Sequence, residues 1–122
     1  VDARAQRDPL RLAETIRKHS VSILVTSGPV LQLLLDERLP SLCHAVNVGA
    51  ALPLEVLSAV HRAFGPGLSV HNLYGCTETP CLQWSGGPAA VPHGTALAPA
   101  GVPQPGVDVH LLDAALRPAA VG

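Results

Sequence analysis

The chain has 122 residues, 48% of them apolar and 14% charged, a balance that excludes the disordered class. At this length roughly two thirds of the unfolded surface is buried on folding, enough for one hydrophobic core. A formal charge of −1 and a single lysine, Lys18, leave no basic field to attract nucleic acid or an anionic membrane, so neither is expected as a partner.

With one Phe, one Trp, one Tyr and no Met, the interior has to be built from Leu, Val and Ala. Ser22, Thr26, Gln32 and Asp36 interrupt the most apolar stretch well short of the roughly 18 residues that span a bilayer. Residues 1–11 lack the regions of a signal peptide, so a cytoplasmic location is expected. Three cysteines, Cys43, Cys76 and Cys81, are an odd number at spacings unlike the common zinc patterns, which argues for free thiols.

In chain order, residues 8–19 read as a helix. Asp8 is the N-cap, Pro9 takes the first helical position, and Arg17, Lys18 and His19 face the negative end of the dipole. Leu12, Ala13 and Ile16 give this helix one apolar face. Residues 21–25 are short, β-branched and apolar, as a buried strand requires. Ser27, Gly28 and Pro29 end the strand and start a second helix bearing Val30, Leu31, Leu34 and Leu35.

A second strand is expected over 45–48. After Gly49 a helix opens at Pro53, with Leu57, Val60 and Phe64 spaced for burial on one side. Gly65, Pro66 and Gly67 end it, and a third strand over 68–73 leads into Tyr74, Gly75, Cys76, Thr77 and Glu78. Three alternations of helix and strand imply an α/β fold with a mostly parallel sheet and right-handed crossovers. From residue 80 to 105, Gly, Pro, Ala and Ser dissolve the pattern into a loop, with one short strand near 82–84. A further strand is expected over 107–112, a turn over 113–116, and the start of a return strand over 117–122.

In open parallel sheets, ligands bind beyond the carboxyl ends of the strands. Two loops fall there: 49–52, where Gly49 lets backbone approach a flat ligand, and 74–79, which gathers a ring, a glycine, a hydroxyl and a carboxylate. Read without context, Asn72 is a strand-end turn residue, Tyr74 a half-buried aromatic, and Thr77 with Glu78 a solvated helix start.

The run NLYGCTE at 72–78 resembles the signature of the adenylate-forming, or AMP-binding, superfamily: Asn, any residue, Tyr-Gly, one variable residue, then Thr-Glu. The tail GVPQPGVDVHLLDAALRPAAVG at 101–122 is similar to that family's Gly-x-Pro, strand, Leu-Asp and Arg-Pro-x-x-x-Gly segment. The resemblance is greatest to amino-acid adenylation domains of nonribosomal peptide synthetases, and it implies that 1–122 is part of the large N-terminal domain. Within it, 8–79 would form the βα units and 80–122 a loop and β-hairpin segment.

The resemblance implies ATP and Mg²⁺. Tyr74 would stack on adenine, Asn72 would meet the base edge, and Gly49, Ala50, Ala51 and Gly75 would line the nucleotide. Thr77 would give its hydroxyl to the α-phosphate, and Glu78 would hold the metal, a hard cation suited to carboxylate oxygens. Thr77 and Glu78 are thus the implied catalytic pair. The implied substrate pocket comprises Thr26, Val46, Val48, Leu73, Cys81 and Leu82, a set with no charged group, so an uncharged and fairly small or aliphatic amino acid is expected. The implied acceptor is a carrier-protein phosphopantetheine thiol.

Two departures stand out. Gly49-Ala50-Ala51 replaces the usual Gly-Gly-Glu, losing a carboxylate, and Cys76 replaces the Pro of peptide synthetases. The family's phosphate loop, second acidic motif and catalytic lysine are not within 1–122, so this stretch by itself is expected to form no adenylate. An acyl-CoA synthetase or fatty-acyl-AMP ligase, and a noncatalytic nucleotide-binding module, remain as alternatives.

Overall fold

A computed structural model describes residues 8–119, except for the side chains of residues 80 and 81. Helix α1, Pro9–Lys18, begins as its sequence dictates: the Asp8 carboxylate accepts hydrogen bonds from the amides of Leu10 and Arg11, and Arg17 and Lys18 occupy the last turn. It buries Leu12, Ala13 and Ile16. Arg17 also reaches the Glu37 carboxylate at 2.8 Å, tying the helix to the loop beyond the next one.

Strand β1, Ile23–Thr26, leads into α2, Gly28–Gln32, which is shorter than its apolar pattern predicts. Beyond Gln32 the backbone tightens into i→i+3 bonds, with Leu34 N–H donating to Leu31 O and Glu37 N–H to Leu34 O. Leu31 and Leu34, three residues apart, both still reach the core. Strand β2 is His44–Val48 and α3 is Leu54–Phe64, with Pro53 as the N-cap and Gly65, at φ 73°, ending the helix. Strand β3 is Ser69–Gly75, and the chain then turns into β4, Pro80–Ser85, and a two-residue β5, Val102–Pro103.

The described residues form one five-stranded sheet in the order β1-β2-β3-β4-β5. The first three strands are parallel, and β4 and β5 add on antiparallel, so the sheet is mixed and continues past residue 79. Helices α2 and α3 pack against each other, as expected when two crossovers of the usual right hand progress in one direction. On the face they cover, Ala45 and Val70 join Leu12, Ile16, Leu31, Leu34, Leu57 and Val60 in one apolar core. The opposite face carries Ile23, Val25, Val46, Val48, His71 and Leu73, with no helix over it among the described residues.

The expected strand over 107–112 does not form. Only an isolated antiparallel bridge joins Leu112 to Pro118, and Leu111 is exposed. The alternation is present, but a strand needs a neighbour, and the sheet ends at β5. The expected turn at 113–116 is present: Leu116 N–H donates to Asp113 O, and Asp113 N–H to Arg117 O. The end of the expected return strand, residues 120–122, lies outside the described residues, as do residues 1–7.

Candidate functional site

Strand alternation sorts the residues at the carboxyl edge of the sheet onto two faces. In β2, Ala45 and Asn47 point to the covered face and Val46 and Val48 to the open one. In β3, Val70 and Asn72 are covered while His71 and Leu73 lie on the open side. Register then aligns Asn47 with Asn72 and Val48 with Leu73.

On the covered face, Asn47 is fully buried and at the centre of a polar ladder. Its Oδ1 accepts from Gly28 N–H at 2.7 Å, and its Nδ2 donates to Ala50 O and to Asn72 Oδ1, each at 2.7 Å. Asn72 Nδ2 in turn donates to Pro99 O at 2.9 Å. One side chain thus holds the start of α2, the 49–52 loop and the end of β3. The next carries the connection on to the 92–100 loop. That last loop is also fixed to the start of α3, with Leu54 N–H donating to Ala96 O and Ala98 N–H to Leu52 O, both 2.9 Å. A buried amide pair is stable only when its groups are satisfied, and no buried side-chain polar atom here lacks a partner.

The ladder borders a cavity of about 370 Å³. Gly49, Ala50, Ala51 and Leu52 form one wall, Asn72, Leu73, Tyr74 and Gly75 a second, and Leu97, Ala98 and Ala100 a third. Gly49 sits at φ 78° with open space where a Cβ would be, so its backbone is bare toward the cavity. Tyr74 is 62% exposed, an unusual state for the only tyrosine in an apolar chain, and its ring is free to receive a planar ligand.

Beyond Tyr74 the ladder between β3 and β4 is irregular, shifting register between Tyr74 and Gly75. Cys76 and Thr79 then exchange backbone hydrogen bonds in both directions, at 3.0 and 3.2 Å, which makes Thr77 and Glu78 the two residues of the hairpin tip. Neither is at positive φ, so the tip is not one of the primed turns that match strand twist, and the bulge beside it takes up the difference. Both side chains are exposed. A hydrogen bond from the Cys76 thiol, followed by one from its own backbone amide, lowers the pKa of the Glu78 carboxyl, so the anion is present at neutral pH.

Of the expected nucleotide residues, Gly49, Ala50, Ala51, Asn72, Tyr74 and Gly75 line this one cavity. Thr77 and Glu78 are at the hairpin tip next to it. Asn72 differs in emphasis from its expected role: its Oδ1 and one Nδ2 hydrogen are already engaged by Asn47 and Pro99, leaving one donor and one lone pair for a base. The expected substrate residues divide between faces. Val46, Val48 and Leu73 share the open face, whereas Thr26 pairs with Asn47 and Leu82 with Tyr74, on the covered one. Cys81 is on β4, and its side chain lies outside the described residues. Sequence reasoning missed Asn47, because a lone polar residue in an apolar run carries no signal of its own; its place three residues before Ala50, at the end of a strand beside Asn72, is the clue the fold supplies.

Among the described residues no helix is long and apolar enough to cross a membrane. The L-proline–[L-prolyl-carrier protein] ligase of Streptomyces coelicolor is 30% identical over 128 residues, which cover 97% of this chain and 24% of the ligase. The chain therefore spans about a quarter of that relative's length. The crystal structure of IdnL1 shares the fold, at a TM-score of 0.82 and 21% identity over 99% of this chain and 26% of that one. The nonribosomal peptide synthetase FmoA3 (S1046A), determined with AMPPNP bound, aligns at a TM-score of 0.76 and 29% identity, covering 91% of this chain and 13% of the synthetase. The model of the AMP-binding enzyme family matches residues 1–122, from end to end, and the chain belongs to that family.

Proposed function

We propose that the protein carrying this chain activates an amino acid with ATP, forming an aminoacyl-adenylate for transfer to a carrier-protein thiol. The observation that supports this most directly is the exposed Tyr74 ring beside a cavity walled by Gly49, Ala50 and Ala51, with the backbone bare at Gly49. Adenine is flat, apolar on its faces and polar at its edge, and this arrangement offers a face for stacking and the remaining Asn72 amide valences for the edge. The likeness to a prolyl-carrier-protein ligase and to peptide synthetases favours an amino acid over a fatty acid.

In the reaction, a carboxylate oxygen attacks the α-phosphorus, and the bond to pyrophosphate breaks with its electron pair leaving on the pyrophosphate. Two anions have to approach, so catalysis here is mostly positioning and charge stabilisation. Thr77 donates its hydroxyl to an α-phosphate oxygen. Glu78, at the exposed hairpin tip, is a hard oxygen donor suited to Mg²⁺, which when bound would supply charge neutralisation between substrate and phosphates. Val46, Val48 and Leu73 form the apolar wall against which the amino-acid side chain rests, and their chemistry favours an uncharged one. Thr26 and Leu82, on the other face of the sheet, are not part of this wall, and Cys81 on β4 is the remaining candidate of the set.

Amino-acid-dependent ATP–pyrophosphate exchange by the full-length protein tests this reading. Exchange is expected with an uncharged amino acid. A best signal from Asp, Glu, Lys or Arg refutes the substrate class, and exchange with no amino acid refutes the activity.

A further inference from the structure

On the open face, the apolar wall continues into a groove of about 330 Å³ to which both apolar and polar side chains contribute. Val46 and Leu73 line it together with His44, His71, Gln83 and Gln104. The imidazoles of His44 and His71 meet across β2 and β3, with Nδ1 of His44 3.1 Å from Nε2 of His71. The other nitrogen of His71, Nδ1, is 2.6 Å from Ser85 Oγ on β4. Three strands thus contribute to one continuous hydrogen-bonded chain, placed on the same face as the residues proposed to hold the amino-acid side chain.

The polarity of this chain is fixed at neither end. If Ser85 donates to His71, then His71 donates to His44, leaving His44 Nε2–H as the outward donor and Ser85 Oγ as the outward acceptor. If His44 donates first, the Ser85 hydroxyl becomes the donor and His44 Nε2 the acceptor. Either way, one donor and one acceptor are left over. A hydroxyl or carboxamide satisfies both arrangements, whereas an ammonium uses only acceptors and a carboxylate only donors. Burial, and then the proximity of His44, lowers the pKa of His71, which favours its uncharged form. Among the described residues, no Asp, Glu, Lys or Arg lines the groove to balance a charged ligand.

Resting on the adenylation reading, we infer that the activated amino acid has an uncharged side chain ending in a hydrogen-bonding group, a hydroxyl or a carboxamide, received by the Ser85–His71–His44 chain. Val46 and Leu73 hold its aliphatic stem, and that chain selects its terminus. A site built to hydrogen-bond a polar terminus rejects the apolar analogue strongly, because its own groups are then left unpaired.

The test is pyrophosphate exchange by the full-length protein with matched amino acids: threonine against valine, asparagine against leucine, and glutamine against methionine. The hydrogen-bonding member of at least one pair is expected to lead by at least about tenfold in kcat/KM, and His71→Leu should collapse that ratio toward unity while the apolar partner is still activated. Ser85→Ala, a change at an exposed side chain, provides the same readout should His71→Leu fail to fold. Robust exchange in which the apolar member leads every pair overturns the inference and leaves the adenylation reading standing. So does a ratio unchanged in a folded variant. Absence of exchange with every amino acid overturns the adenylation reading and this inference with it.

Discussion

Asn47 donates its side-chain amide to Asn72 Oδ1 across two adjacent parallel strands, in a bond of 2.7 Å between two buried side chains 25 residues apart. Through it, loops that are distant in sequence are held at one end of the sheet, so the walls of the cavity beside Tyr74 are fixed by the fold itself.

Replacing Asn47 by Ala strands the Gly28 amide, the Ala50 carbonyl and Asn72 Oδ1 together. Each buried group left without a partner costs about 1–3 kcal/mol, so Asn47→Ala should be among the most destabilising single changes in the chain. Chemical denaturation of the full-length protein checks this; an unchanged midpoint would contradict the ladder.

Tyr74 makes a different kind of contribution. Being exposed, it adds little to the fold, and Tyr74→Ala should leave the melting temperature within about a degree of wild type. Loss of base stacking, about 1–3 kcal/mol, should raise the KM for ATP by roughly tenfold or more. Steady-state kinetics over a range of ATP concentrations separates this from a change in amino-acid binding.

Gly101 has a position that no other residue can take. It is at φ +99°, and a Cβ there would lie 1.9 Å from Gln83 O. Gly101→Ala combines backbone strain with collision against β4, and at least about 2 kcal/mol of destabilisation is expected. Gly67→Ala, where a Cβ meets nothing within 4 Å, is the matched control and should stay within about 0.5 kcal/mol of wild type. Equal effects from the two would show that β4 and the residue before β5 do not approach as described.

His71 gives the fold a pH dependence. Its folded pKa is below the ordinary value of 6.5, so between the two values the unfolded chain binds more protons and stability rises with pH. This contribution is complete above pH 6.5 and declines as the pH falls below it. His44 on β2 and Ser85 on β4 are the polar groups facing it. Thermal melts from pH 5 to 8 should show a shallower slope for His71→Gln than for wild type.

Much of the architecture was legible in the sequence because it is written in local chemistry. Asp8 and Pro9 fix the start of α1, Gly65 fixes the end of α3, and three β-branched or apolar runs mark the parallel strands. The motif at 72–78 likewise pointed to one place, since Asn72, Tyr74 and Gly75 all line a single cavity at the strand end. What escaped was set by register. Alternation and pairing put Thr26 across the sheet from Val46, and the 44–71 imidazole contact depends on how two strands 27 residues apart align. The 107–112 run shows the converse limit: its alternation is genuine, but pairing is a property of two segments, and among the described residues only its end, at Leu111 and Leu112, meets a neighbour, at Pro118 and Ala119.

The seven residues of β3 address two compartments at once: Asn72 and Tyr74 look toward one, His71 toward the other, and Leu73 borders both. Except at Leu73, either wall can therefore be recoloured by substitution without touching its opposite. A single inserted or deleted residue, by contrast, would turn the whole strand over and present each compartment with the side chains meant for the other. Such a strand tolerates endless rewriting but no change of length, and its descendants should differ in letters while keeping count.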